Sequence, residues 1–335
     1  MRRIPVRGRT PTKPALAGLA CLAAFLLVLG AATTAAQPPT YRIGVLAQDL
    51  QPGLLEDLRD ELQRLGYVEG RNTTIEVRNA AGRADRLPAL VDELLRLKVG
   101  VIVAVNTPAV RAAKNATSVV PIVIMRAADP VGQGLVASLA RPGGNVTGLS
   151  FMPDELGAKG VQLLHEVAPS ISRVASLYQA DNPGALLVVT ETERRSLELG
   201  LRFMRLPIRD PGELPGAFRT ATGARTEAVF VMDDGAMTKQ RAQLADLARR
   251  HSLALVSIYR DLAEAGGFIA YGPNLPTVYR RGAVYIDRIF KGAKPADLPI
   301  EQPTKFDFVI NLKTARALGL TIPPAVLLQA DHVIE

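Results

Sequence analysis

From residue 41 to the C-terminus, short apolar runs alternate with amphipathic stretches almost without interruption, and this alternation limits the possible folds more than any other feature. Strands separated by helical crossovers pair in parallel and carry helices on both faces of their sheet, which argues for βα units rather than a bundle or a sandwich. Tyr41–Leu46 reads as the first strand. Leu54, Leu55, Leu58, Leu62 and Leu65 then share one face of a helix that Gly66 ends. The pattern continues with a strand over Thr74–Arg78, a helix over Arg83–Lys98, a strand over Val99–Val105, a short helix from Pro108 and a strand over Pro121–Met125. Together these predict one doubly wound lobe.

Arg141-Pro-Gly-Gly-Asn145 breaks the pattern, and Val146–Phe151 resumes as an extended run, so a first crossing between lobes is expected here. A second series follows, with a helix over Asp154–Val167 and strands near Arg173–Tyr178, Phe203–Ile208, Ala228–Met232 and Leu253–Ile258. Phe268–Tyr271 with Gly272-Pro273 reads as a return crossing, after which a helix over Thr277–Phe290 packs on the first lobe. The expected division is residues 37–148 with about 274–305 in lobe 1, and about 149–273 in lobe 2. Residues 306–335, a strand and a short helix, can belong to either. The fold class is therefore α/β, two doubly wound parallel-sheet lobes joined by a hinge. Open sheets of this kind bind ligands beyond the carboxyl ends of their strands, so both lobes can serve one cleft and capture a solute by closing on it.

The N-terminus reads as an export signal. Arg2, Arg3, Arg7, Arg9 and Lys13 precede an apolar run over Ala15–Leu29, and Thr33-Thr34-Ala35-Ala36 supplies small residues before Gln37. The run is shorter than the roughly 20 apolar residues a spanning helix needs, so cleavage after Ala36 and a periplasmic destination are expected. Cys21, the one cysteine, follows Gly18-Leu19-Ala20 within the apolar run and reads as part of it rather than as a lipidation site. Cleavage would leave no thiol, excluding disulfides and a cysteine nucleophile. Of the net charge of +8, five positive charges lie in the first 36 residues with no acidic residue, leaving +3. No Lys/Arg stripe interleaved with aromatics remains, so a nucleic-acid partner is not expected.

Enzymatic signatures are weak. Gly132-Gln-Gly134-Leu-Val-Ala137 fits a dinucleotide fingerprint but does not occupy the first βα turn. Phosphate-loop, HExxH and GxSxG motifs are absent, and His165, His251 and His332 stand apart without metal-ligand spacing. The expectation is a binding protein, not an enzyme, with no catalytic residue, metal or cofactor. An exported α/β hydrolase and the ligand-binding subunit of a membrane sensor are the alternatives.

Binding residues are sought where strands end. Gln48 and Asp49 follow the first strand, and Asn106-Thr107-Pro108 the third, with Thr107 suited to cap a helix beginning at Pro108 and to leave N–H groups for an anion. Ala127 and Asp129 follow the fourth strand, and Asp129 can meet an ammonium group or cap a helix after Pro130. In the second series Asn182, the pair Asp233 and Asp234, and Tyr259 follow strands, while Tyr271 lies on the return crossing. The aspartates suit an amine, and either tyrosine ring can stack on a flat ligand.

Several segments also carry a family resemblance: Leu65-Gly-Tyr-Val-Glu-Gly-Arg-Asn72, Asp129-Pro-Val131, Leu139-Ala-Arg-Pro-Gly-Gly-Asn-Val-Thr-Gly148, Tyr271-Gly-Pro273, Gln302-Pro-Thr-Lys-Phe306 and the stretch from Ile310 to Pro324. In order along residues 41–335, they resemble the ABC transporter substrate-binding family that includes tryptophan- and tyrosine-type receptors. The resemblance implies a periplasmic-binding-protein fold, a small-molecule solute such as an aromatic or other amino acid, and a membrane permease with its ATPase as partners. A monomer is expected.

Overall fold

The structure, a computed structural model, describes residues 40–335 apart from 51, 152, 233–236 and 238, together with Met1. Beyond Met1, the expected export signal lies outside the described residues. The first sheet has five strands in the order β2-β1-β3-β4-β5, all parallel. They are β1 (Tyr41–Ala47), β2 (Thr73–Asn79), β3 (Val101–Ala104), β4 (Ile122–Ala128) and β5 (Val146–Phe151). Between them lie α1 (Pro52–Arg64), α2 (Leu87–Arg96) and α3 (Thr107–Ala116). The expected helix from Arg83 is a 3-10 turn over Ala84–Arg86 followed by α2, whose Pro88 sits in the first helical turn, where a missing N–H costs nothing.

After Phe151 come α4 (Pro153–Val167), β6 (Arg173–Gln179), α5 (Pro183–Glu198), β7 (Arg202–Ile208), α6 (Leu214–Gly223), β8 (Ala228–Val231), α7 (Arg241–His251), β9 (Ala254–Ser257), α8 (Arg260–Glu264) and β10 (Ile269–Pro273). Helix α9 (Leu275–Phe290) follows, then β11 (Phe306–Asn311), α10 (Leu312–Ala317), α11 (Pro324–Leu327) and β12 (His332–Ile334). The second sheet has seven strands in the order β12-β11-β10-β9-β8-β6-β7. It is parallel except for β10 against β11, so it departs from an all-parallel sheet. The C-terminal strands β11 and β12 extend this second sheet. β5 pairs with β4 as far as Phe151, so the chain leaves the first sheet there and not at Gly148.

Apolar side chains at period two explain the layers. Ile43 and Val45 of β1 pack with Leu54, Leu58 and Leu62 of α1 and with Tyr279 and Ile286 of α9, whereas Leu46 packs with Leu87, Val91 and Leu94 of α2 on the other face. In the second sheet Ala175 and Leu177 meet Leu214 and Phe218 of α6 and Leu244 of α7, while Val174 and Phe230 face Leu164 of α4 and Val188 of α5. Each such fully buried Leu, Ile or Phe contributes about 1.5–3 kcal/mol. Helix α9 belongs to the first lobe's packing: Arg280 donates to Asp57 of α1 (2.7 Å), and Tyr67 Oη donates to Asp287 Oδ1 (3.0 Å). The segment after it covers the edge of β5, where Thr147 Oγ1 donates to the Leu298 carbonyl (2.7 Å) and the Ser150 N–H to that of Glu301 (3.0 Å).

Candidate functional site

The carboxyl ends of β1, β3 and β4 face those of β6, β8 and β9. Between them lies a cavity lined from the first lobe by Asn106, Thr107, Arg126 and Phe151, and from the second by Asn182, Gly184, Ala185, Val188, Met232, Ile258 and Tyr259. The centre of a water-sized sphere can reach about 30 Å³ of it, room for roughly two waters. Seating a solute of amino-acid size therefore requires the lining to move apart.

At the end of β3, Asn106 rather than Thr107 is the helix cap. Its Oδ1 accepts from the Ala109 N–H at 3.3 Å, its backbone is extended, and Thr107 is the first residue of α3. The carboxamide reaches the N–H three residues on, which frees Thr107 Oγ1 to accept from the Ala128 N–H of β4 at 3.3 Å. With Pro108 lacking an N–H and that of Ala109 taken, α3 keeps the positive end of its dipole but few of the free donors expected there. Asn106 Nδ2, by contrast, is a buried donor with no hydrogen-bond partner.

Arg126 is a lining residue that the strand pattern did not single out. β4 and β5 shift register between Ile124 and Ala127. Ile122, Ile124 and Ala127 consequently share one core cluster, while Val123 and Met125 belong to another. One residue of phase is absorbed at Met125–Arg126, and such irregularities re-aim a side chain. Arg126 is only 6 % exposed, and its guanidinium sits 4.9 Å from the centre of the Tyr259 ring. A cation over an aromatic face offsets part of the cost of burial. Nearby, burial pushes the Tyr279 hydroxyl up to about 12, and its oxygen has no hydrogen-bond partner. A charged residue directly after the apolar run Ile122–Met125 was the signal that could have found Arg126.

From the second lobe, Asn182 caps α5, its Oδ1 accepting from the N–H groups of Gly184 (3.0 Å) and Ala185 (3.4 Å). Gly184 lets the lobes touch, since a Cβ there would lie 2.7 Å from Thr107 Oγ1 and 3.3 Å from Ala128 Cβ. Tyr259 is buried just before α8. Asp233 and Asp234 lie outside the described residues.

The remaining candidates stand elsewhere. Gln48 and Asp49 are at the rim and tie the lobes together: Gln48 Nε2 donates to Gln179 Oε1 (2.8 Å), and Lys239 Nζ pairs with Asp49 Oδ1 (2.9 Å). Ala127 is fully buried in the first lobe's core. Asp129, at φ 38°, turns its carboxylate onto the Gly132 N–H (2.8 Å). No helix follows Pro130; the segment that fits a dinucleotide fingerprint begins in turns instead, stapled by Asp129 and by Gln133 Nε2 on the Ala128 carbonyl. Tyr271 stacks on Phe306, ring centres 5.6 Å apart, where β10 meets β11. Among the described residues no group of three or more His, Cys, Asp or Glu side chains is placed to hold a metal, and no helix is long and apolar enough to cross a membrane.

Comparison with known proteins agrees with this architecture. The family described as ABC transporter substrate binding protein matches residues 48–334. A tyrosine-binding protein from Clostridioides difficile (strain R20291) is 24 % identical over 270 residues, 80 % of this chain and 76 % of that protein. The crystal structure of an ABC domain from Streptococcus pneumonia in complex with L-Trp superposes with a TM-score of 0.81 at 25 % identity, covering 88 % of this chain and all of that one. A conserved domain protein from Vibrio cholerae gives 0.83 at 24 % identity, over 88 % and 99 % of the two chains.

Proposed function

The chain belongs to the ABC transporter substrate-binding protein family, and we propose that it is the exported receptor of an ATP-driven importer, capturing an amino acid, aromatic ones foremost, between its lobes by hinge closure. The observation that carries this reading is the cavity itself: it draws on both lobes at the carboxyl ends of their strands, the place where open α/β sheets bind ligands. Its lining joins a polar corner at Asn106, Arg126 and Asn182 to an apolar wall of Phe151, Val188, Met232 and Ile258. That suits a solute with a polar head and an apolar body. The tyrosine-binding relative and the neighbour holding L-Trp support an aromatic side chain as the body. Asp233 and Asp234 follow Met232 in the chain and in this proposal remain partners for an amino group.

The test is a thermal-shift and calorimetric screen of the purified protein against the amino acids, with the solutions analysed for conversion. A ligand at 100 times its dissociation constant stabilises the folded state by about 2.7 kcal/mol. Saturable binding without turnover, with a permease and an ATPase encoded beside the protein, supports the receptor. Turnover of the bound solute overturns it, and a sensor kinase as the sole membrane partner moves it to signalling.

A further inference from the structure

Within the interlobe site just proposed, on which the inference rests, we propose that Arg126 and Asn106 form a carboxylate seat. The cleft thereby requires the acidic group of its solute. Three independent features converge on one corner. Arg126 is buried at 6 % exposure, lines the cavity, and has one face of its guanidinium against Tyr259. The donors of a guanidinium lie in its plane, and it stays charged at any physiological pH, so it presents a fixed fork for a planar anion.

Asn106 supplies the second feature. It is 5 % exposed, its Oδ1 is committed to the Ala109 N–H, and this commitment orients the carboxamide so that Nδ2 is left as an unpartnered donor on a residue lining the cavity. The third is the pair of helix N-termini. Helices α3 and α5, of 10 and 16 residues, both begin at this corner. Pro108, Pro183 and the caps Asn106 and Asn182 remove or occupy the N–H groups of their first turns, leaving the positive dipole ends as a field with side chains to do the hydrogen bonding. The facing wall, Phe151, Val188, Met232 and Ile258, takes the apolar body.

Binding of L-tyrosine and L-leucine is to be measured by calorimetry, each beside its desamino acid and its decarboxylated amine, on wild type and on Arg126→Gln, Arg126→Lys, Asn106→Asp and Val188→Trp. Asn106→Asp keeps the capping oxygen while exchanging the donor for an anion, so the fold is retained even if Arg126→Gln unfolds; circular dichroism reports this. The expected result is that acids of at least one series bind and the amine does not. Arg126→Gln and Asn106→Asp weaken the acids about tenfold or more, as loss of a charge-assisted bond implies, and Arg126→Lys recovers part of the loss. An amine that binds as tightly as its acid, acid binding unchanged in Asn106→Asp, or no acid bound at about 1 mM, the weakest affinity worth the name for a receptor, overturns the seat. Val188→Trp fills the cavity, so acid binding that survives it overturns the interlobe site itself, whereas binding lost in Val188→Trp but kept in both seat variants overturns the seat alone.

Discussion

Gln48 Nε2 donates across 2.8 Å to Oε1 of Gln179, joining the loop after β1 of one lobe to the end of β6 in the other. Both side chains are buried, so the bond is made away from bulk water, where a neutral hydrogen bond contributes about 0.5–1.5 kcal/mol. Gln179→Met removes the acceptor at similar volume and leaves Gln48 its second partner, the Gly82 carbonyl at 3.1 Å. Solute affinity should fall by about 2- to 10-fold, chiefly through faster release, with the melting temperature of the unliganded protein little changed. Stopped-flow dissociation checks this. The neighbouring Asp49–Lys239 pair contributes less, because Lys239 is half exposed and salt screens it.

The approach of Gly184 to Thr107 makes a second prediction. A methyl group at 184 would sit 2.7 Å from Thr107 Oγ1, inside van der Waals contact, and its next nearest neighbours are Ala128 Cβ across the same boundary and the capping Oδ1 of Asn182, both at 3.3 Å. Gly184→Ala should therefore fold normally and resist closure. Small-angle scattering should show a larger radius of gyration, and affinity should drop about tenfold or more, equivalent to the roughly 1–3 kcal/mol that overpacking costs. A variant as compact and as tight-binding as wild type would mean that the contact yields.

Much of this arrangement was legible before any coordinates. The apolar runs Ile43–Ala47 of β1 and Ile122–Met125 of β4 announce themselves because both faces of the sheet are buried, and the leucines of α1 because they recur on one helical face. Asn182 and Tyr259, which line the cavity, were singled out by the rule that open sheets bind ligands beyond their strand ends. Arg126 was passed over because the register shift that re-aims it belongs to two strands, β4 and β5, and the one trace within β4 is the charge itself after an apolar run. The Gln48–Gln179 and Asp49–Lys239 ties escaped for a related reason, since each joins residues on different lobes. Asn106 and Thr107 exchanged roles because both can cap, and the choice is made by the Ala128 N–H that Thr107 alone satisfies. Helices α5, α6 and α7 carry weaker stripes than α1, and α5 and α6 start in Pro-containing turns that read equally well as loops.

Glu301 predicts a pH dependence. Its hydrogen bonds from Arg281, Nε to Oε2 at 2.7 Å and Nη2 to Oε1 at 2.5 Å, hold the carboxyl below its ordinary value against the opposing effect of burial. A depressed folded-state value means that the unfolded chain binds the proton first as pH falls. The pair therefore contributes its full stabilisation above the ordinary glutamate value of about 4.3 and loses it as pH drops through the folded-state value. Both side chains are about one-third exposed, so screening limits the contribution to about 1 kcal/mol or less. Glu301→Gln should lower stability by that amount at pH 7, and the gap to wild type should close below about pH 4. Urea titrations at a series of pH values measure it; a gap that persists in acid would assign the effect to the segment's packing on β5 instead.

Gly148 pairs with Ile124 at the edge of the irregularity that re-aims Arg126, which makes it a sensitive point of the first sheet. Its φ of 126° is a conformation that side-chain-bearing residues rarely adopt, and a Cβ there would lie 2.3 Å from the Ile124 carbonyl oxygen and 2.5 Å from the Ile124 nitrogen. Backbone atoms within a paired strand cannot swing aside as a side chain can, so the clash must be relieved by parting β4 from β5. Gly148→Ala should then destabilise the protein by about 3 kcal/mol or more, combining positive-φ strain with the disrupted ladder. Because Arg126 lies on the displaced stretch of β4, solute binding should fail in Gly148→Ala even under conditions where most of the protein is still folded, whereas Gly292→Ala, at φ 96° with nothing within 4 Å, should cost stability without touching binding. Chemical denaturation and calorimetry on the two variants separate these outcomes.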